Sequence, residues 1–193
     1  MKLMNPPNTS KEEIMRVSRK IVAEKGLPAL NMRTLAKECG IALGTLYNYY
    51  SDKDELVVAA IESVWQEIFE KSVPHSAVKF TQYVTQTYAQ IIDGLKDYPN
   101  FLAAHSMSVA GSAKGVARGM MERCFGEIRR KLREALQTDK NVDRSVFSDK
   151  FSEENLIEHI LDSIIILIMK GKQDCAALTE ILDRLLYSRK KEN

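Results

Sequence analysis

The chain has little of what a secreted, membrane-spanning or metal-dependent protein needs. Its 193 residues hold only three cysteines, Cys39, Cys124 and Cys175. They are odd in number and far apart, which fits neither a disulfide framework nor a metal knuckle; each is expected to be a small buried hydrophobe in a reducing compartment. The longest apolar run, Ile164 to Met169, falls far short of the roughly 20 residues that span a bilayer. Met1 to Ser10 is polar and carries prolines, without the apolar stretch of a signal peptide. These absences give the expectation of a cytoplasmic protein with no membrane partner. A glycine-rich phosphate loop, a histidine pair at metal spacing and an acid cluster are all missing, so neither cofactor nor metal is expected. Period-two alternation and strand-length β-branched runs are nearly absent as well, which leaves an all-α fold.

The composition that remains, 45% hydrophobic and 28% charged, is that of an ordinary globular protein. The net charge of +2 says little, but its placement says more. Up to Lys53 nine basic residues stand against five acidic ones, a surplus of +4 that leaves −2 for the rest. A basic N-terminal quarter suits phosphate binding. About nine amphipathic helices can be traced. Ser10 with Glu13 opens the first as a capping box, Ile14, Val17, Ile21 and Val22 form its inner stripe, and Gly26 ends it. Later helices are expected over Asp52 to Val73, Lys79 to Leu95, Asn100 to Val109 and Lys114 to Gln137. Thr138 to Lys150 is polar and without period, a loop with room to move. Ser152 then caps a helix to Gly171, and Asp174 caps a last one before the basic tail.

Asn31 to Leu56 reads NMRTLAKECGIALGTLYNYYSDKDEL. Asn31 is a good N-cap, and Met32, Leu35, Ala36 and Cys39 recur at helical spacing until Gly40 stops the helix. Ile41 fills the inside of the turn. Leu43 to Tyr50 makes the next segment, with Leu46 and Tyr50 inward. Ser51 with Asp54, or Asp52 with Glu55, has the spacing to cap the helix that follows. The middle segment is shorter than the roughly 12 residues a lone helix needs, and Gly44 inside it costs up to about 1 kcal/mol relative to alanine. Something must favour the missing side chain, and close backbone approach to a nucleic acid would do so. Two helices around a glycine turn form a helix-turn-helix, whose second helix enters the DNA major groove.

Residues from about Ser10 to Val58 resemble the N-terminal domain of the TetR family of bacterial transcriptional regulators. The match is carried by AEKG at 23–26, MRTLAKECGI at 32–41, GTLYNYY at 44–50 and Lys53 to Leu56. The resemblance implies that Arg33 and Thr34 meet a phosphate or the groove edge. It makes Leu43, Gly44, Thr45, Tyr47, Asn48 and Tyr49 the recognition face, and it gives Tyr47 and Lys53 a phosphate each, Lys53 aided by the dipole of its helix. Three departures stand out. Ala42 replaces a common serine or threonine cap, Tyr50 a usual phenylalanine, and Leu43 a commonly polar groove residue. Leu43 is expected to pack on a thymine methyl and Asn48 to read an adenine edge, and the Tyr50 hydroxyl needs a partner if buried.

The resemblance further implies a DNA-binding domain over 1–53 and an effector-binding and dimerisation domain over 54–193. The function implied is a repressor that binds a palindromic operator on double-stranded DNA as a homodimer and is released by a small organic effector. Trp65, Phe69, Tyr83, Tyr88, Phe101, His105, Met107, Met120, Met121 and His159 are the candidate effector contacts, a set rich in adaptable side chains. The last two helices are apolar over so wide an arc that they should bury a second face against a twofold mate. Leu161, Ile164, Ile165, Ile168, Leu178, Ile181, Leu182 and Leu185 are the candidates for that interface. Two other classes stay open on the residues alone. A helical interaction protein with degenerate DNA binding is favoured by Ala42 and Leu43. A small helical enzyme would need Cys124 or Cys175 beside a histidine, and no nucleophile motif supports it, so no enzyme is expected.

Overall fold

Ser10 opens the first helix as its sequence implies. Its side-chain oxygen accepts from the Glu13 amide at 3.2 Å. Only half of the capping box forms, because the Glu13 carboxylate turns to Arg16 at 2.6 and 2.8 Å instead. The computed structural model describes residues 10–71, 79–102 and 114–187. Helix α1 spans Lys11–Lys25, α2 Met32–Glu38, α3 Leu43–Tyr47, α4 Lys53–Lys71 and α5 Phe80–Leu95. Then follow α6 Lys114–Thr138, α7 Glu153–Met169 and α8 Ala176–Leu186, with short 3-10 turns at Leu27–Ala29 and Arg144–Val146. The fold is all-α. Among the described residues there are eight α-helices and no strand, only an isolated pairing of Ser148 with Phe151. Most of the helix expected over Asn100 to Val109, the end expected at Val73 and the basic tail lie outside the described residues.

The chain divides into two compact units, Met1–Glu67 with Leu95–Cys124, and Ile68–Gly94 with Phe125–Asn193. In the first, Ile14, Val17, Ile21, Leu35, Leu46, Tyr50, Leu56 and Val64 are buried. Arg19 of α1 donates to Ser63 and pairs with Glu67, both at 2.5 Å and both on α4.

The second unit shows why α7 is apolar over so wide an arc. Leu156, Ile157, Ile160, Leu161, Ile164 and Ile168 are all buried within the single chain. The capping box at its start is complete, with Ser152 and Asn155 exchanging hydrogen bonds at 3.1 Å each way. Its end is a Schellman motif, in which Gly171 takes φ 66° while its amide reaches the Ile168 carbonyl at 2.9 Å and Lys172 reaches Leu167 at 3.0 Å. Burial within the single chain divides the expected dimer set. Leu161, Ile164, Ile168 and Leu182 belong to the chain's own core, Ile165, Leu178 and Leu185 are half-buried, and Ile181 is 62% exposed. The exposed apolar residues missed from sequence are Ile166 and Met169, at 51% and 60%. Both sit on the opposite side of α7 from its buried stripe, which periodicity alone could not distinguish in an unbroken isoleucine run.

The loop after α6 is also tighter than its composition implies. Arg144 donates to the carbonyls of Leu136 at 2.8 Å and Gln137 at 3.3 Å, satisfying the orphan acceptors at the end of α6. The same guanidinium bonds Glu153 at 2.6 Å, and the Asp143 amide bonds the Leu186 carbonyl at 2.8 Å. Asp139, 5% exposed, accepts from Tyr187 at 2.6 Å, the Phe80 amide at 2.8 Å and the Asn141 amide at 2.9 Å. This one carboxylate ties the start of α5 to the ends of α6 and α8. At the start of α8 the expected cap is shifted: Asp174 accepts from the Ala176 amide at 3.0 Å, but Cys175 occupies the cap position.

Candidate nucleic-acid interface

The helix-turn-helix is built by local devices. Asn31 accepts from the Thr34 amide at 3.0 Å and donates to the Ala29 carbonyl at 3.2 Å, so the start of α2 is fixed from both sides. Met32, Leu35 and Ala36 are buried. At the far end Gly40, at φ 67°, closes a second Schellman motif: its amide meets the Lys37 carbonyl at 3.1 Å and Ile41 reaches Ala36 at 3.0 Å. A side chain other than glycine would be strained there. Leu46 anchors the middle of α3 and is fully buried.

Helix α3 is shorter than expected. It stops at Tyr47, and the Asn48 and Tyr49 amides bond three residues back, to Thr45 at 3.2 Å and Leu46 at 3.0 Å. This tight turn carries Asn48 and Tyr49 onto the same short segment without extending the helix. Gly44, Thr45, Asn48, Arg33 and Lys53 are exposed, Thr34, Leu43 and Tyr49 are half-buried, and Tyr47 is 50% exposed. A Cβ placed on Gly44 meets nothing within 4 Å. Nothing inside the protein demands that glycine. Ala42 makes no side-chain bond at the cap of α3, so the short recognition helix rests on Leu46 and on its neighbours.

The start of α4 sets the surroundings of Lys53. Of the two capping pairs open in sequence, Asp52 with Glu55 is the one formed: Asp52 accepts from the Glu55 amide at 2.8 Å. The Glu55 carboxylate in turn accepts from the Ser51 amide at 2.7 Å and hydroxyl at 2.8 Å, and these bonds hold its pKa below the usual carboxylate range. The start of α4 is thus filled by carboxylates, and the helix dipole is spent on them. Lys53 is the first residue of α4 and is exposed, beside these carboxylates.

The candidate effector residues fall in both units. Trp65 and Phe101 lie in the first unit, edge to face at 5.7 Å between ring centres. Phe69, Tyr83, Tyr88 and His159 lie in the second, where Phe69 packs on Phe125 at 5.7 Å. The Tyr88 hydroxyl already donates to the Lys172 carbonyl at 2.9 Å. His105 and Met107 lie outside the described residues, as do the side chains of Met120 and Met121. Sequence reasoning missed Gln90, whose Oε1 is buried without a hydrogen-bond partner on α5. A glutamine next to the buried Tyr88 and Ile91 on that helix was the available signal. Among the described residues no group of histidine, cysteine or carboxylate side chains could hold a metal, and no helix is long and apolar enough to cross a membrane.

A short helix on a buried leucine, presenting an uncrowded glycine and a row of exposed polar side chains, completes a helix-turn-helix. The family model described as bacterial regulatory proteins, tetR family, matches residues 14–60. A helix-turn-helix-type transcriptional regulator of Haemophilus influenzae is 32% identical over 105 residues, which cover 47% of this chain and 56% of that one. The regulator PksA of Bacillus subtilis is 30% identical over 61 residues, covering 32% of this chain and 30% of its own. The matches thus span less than two thirds of these relatives. In fold, the multidrug binding protein EbrR, solved with imidazole, aligns over 94% of this chain and 97% of its own at TM-score 0.57 and 14% identity. The likeness to the tetR family is thus carried by the N-terminal segment, residues 14–60.

Proposed function

We propose that this protein is a transcriptional regulator that grips a palindromic operator on double-stranded DNA as a homodimer and lets go when a small organic effector binds. The observation that carries the reading is Gly44, a helix-interior glycine with open space where its side chain would be. Its conformational cost is unexplained by packing and fits a backbone that must lie against a phosphate or base edge. Tyr47 and Lys53 hold phosphates, Arg33 and Thr34 meet the groove edge, and Leu43, Thr45, Asn48 and Tyr49 face the bases. Residues 1–53 serve as the DNA-binding domain and 54–193 as the effector and dimerisation domain. The protein works in the cytoplasm as a repressor and catalyses nothing.

Dimerisation uses the exposed side of α7 and α8, where Ile166, Met169 and Ile181 stand out of the chain's own core. Effector binding is supported by the unpartnered Oε1 of Gln90 on α5, among the aromatic side chains of that helix. A fold relative binds imidazole, so an organic ligand suits this architecture.

The test is binding to DNA from upstream of its own gene across a salt series. Affinity is expected to fall steeply with salt. Tyr47→Phe and Lys53→Ala should weaken binding to every sequence, whereas Asn48→Ala should change which sequence is preferred. Salt-independent binding, with all three variants behaving as the parent, would overturn the reading.

A further inference from the structure

We propose that Lys37 is a further DNA-contacting residue: with Arg33 it forms a two-cation row along α2 that holds neighbouring phosphates of one strand, beside the bases read from α3. This role rests on the DNA-binding reading above. Lys37 stands apart from most basic residues of the head by having no partner. On α1, Arg16 pairs with Glu13 at 2.6 Å, Arg19 with Glu67 at 2.5 Å, Lys20 with Glu24 at 3.9 Å and Lys25 with Glu38 at 3.3 Å. The Lys11 ammonium stands over the Tyr50 ring, 5.5 Å from its centre. Among the described residues up to Lys53, that leaves Arg33, Lys37 and Lys53 exposed and without an ion pair.

The charge of Lys37 is not used inside the protein. Its neighbour Glu38, the one carboxylate of α2, is engaged by Lys25 of α1. A lysine in the last turn of a helix can also serve the open carbonyls there. Here those acceptors are filled: Cys39 donates to Leu35 at 2.9 Å, Ile41 to Ala36 at 3.0 Å and Gly40 to the carbonyl of Lys37 itself at 3.1 Å. The ammonium is left to water, and Lys37→Gln removes no side-chain contact of the fold.

The position of Lys37 suits a phosphate. In a helix-turn-helix the first helix crosses the DNA backbone while the second enters the groove, and α2 is that first helix. Residues 33 and 37 lie one turn apart on the same side of α2, with β-carbons roughly 6 Å from each other. Phosphates of one strand follow each other at about 3.4 Å of axial rise, so neighbouring phosphates fall within reach of the two side chains. The Lys25–Glu38 pair also keeps the carboxylate of α2 from meeting that backbone uncompensated. Lysine is a point charge on a flexible stem, so this contact adds affinity and register but reads no base.

The experiment measures binding of the full-length protein and its Lys37→Gln variant across a salt series on two duplexes of equal length. One is DNA from upstream of its own gene, the other an unrelated sequence. Losing the contact should make the slope of log affinity against log salt less negative by roughly 1, or about 2 for a dimer, with the same fold loss on both duplexes. Lys37→Arg should restore the parent slope, and Arg16→Gln, whose guanidinium is already paired, should leave it unchanged. The melting temperature of Lys37→Gln should match the parent's. A parent slope retained in Lys37→Gln, or an equal loss of slope in Arg16→Gln, overturns the role of Lys37 and leaves the DNA-binding reading standing. A loss confined to the upstream duplex overturns the phosphate assignment, because it makes Lys37 a base reader. A parent that binds neither duplex, or binds without regard to salt, overturns both readings together.

Discussion

Removing the Asp139 carboxylate should cost more stability than any other single change at the polar surface of the second unit. Asp139 is almost fully buried and accepts four hydrogen bonds, from the Tyr187 hydroxyl, the Phe80 amide, and the amide and side chain of Asn141. In Asp139→Ala the two Asn141 donors are half-buried and can turn to water. The Tyr187 hydroxyl and Phe80 amide cannot do so as readily, although they keep each other at 3.1 Å. Two buried donors left short, at about 1–3 kcal/mol each and partly offset by that bond, give a loss of roughly 2–4 kcal/mol. Tyr187→Phe deletes one charge-assisted bond and leaves the carboxylate three partners, for about 1–2 kcal/mol. Urea unfolding followed by far-ultraviolet circular dichroism at fixed protein concentration measures both, and the double variant tests their coupling.

The pH dependence of that loss has a definite sign. Burial pushes the Asp139 carboxyl up, but hydrogen bonds from Tyr187, the Phe80 amide and Asn141 outweigh it, so the folded pKa lies below the ordinary 3.8. A depressed folded pKa contributes stability that is present above the unfolded value and disappears as pH falls through the folded one. The gap between the parent and Asp139→Asn should therefore be constant near neutrality and close only in acid below about pH 4. A loss in Asp139→Ala under about 0.5 kcal/mol, the scale of an ordinary surface change, or a gap that does not close in acid, would refute the claim that this carboxylate pins the three helices.

Three further outcomes follow from the same coordinates. Gly44→Ala meets open space, so the head should fold as well or gain up to about 1 kcal/mol in thermal melts, yet lose DNA binding in a gel-shift assay; retained binding would mean the backbone is not approached closely. Ile181→Lys charges the exposed apolar side of α8 without touching the core, and sedimentation should show a shift from dimer to monomer at equal helical content. Arg144→Ala removes the cap on the end of α6 and the bond to Glu153; hydrogen exchange should speed up over residues 136–147 and nowhere in α1 to α3, with a loss of about 1–2 kcal/mol.

What could be read from the sequence divides along the distance between partners in the chain. The all-α class, the start of α1 at Ser10, the turn at Gly40 and the inward Leu46 and Tyr50 all depend on residues three to five apart, and each is found where its spacing puts it. The complete box at Ser152 and Asn155 belongs with them. Where two local devices competed, spacing could not choose: Ser51 and Asp52 both had a partner for the cap of α4, and the structure gives the cap to Asp52 and uses Glu55 to hold Ser51. The Asp139 node joins residues 59 and 48 positions apart, and the Arg19 bridge 44. No period or motif announces such pairs.

The proposed dimer face shows a different limit. Hydrophobicity on α7 tells how much surface must be buried, not whether the chain or its mate does the burying, and half of the residues assigned to the mate are taken by the chain itself. What remains for a mate is the side bearing Ile166, Met169 and Ile181. Tyr50 has the same ambiguity in miniature. Its ring is core and was expected to be, while its hydroxyl is a polar group the fold leaves unanswered. A residue can therefore be assigned correctly by its apolar part while the one polar atom that the core does not use goes unread.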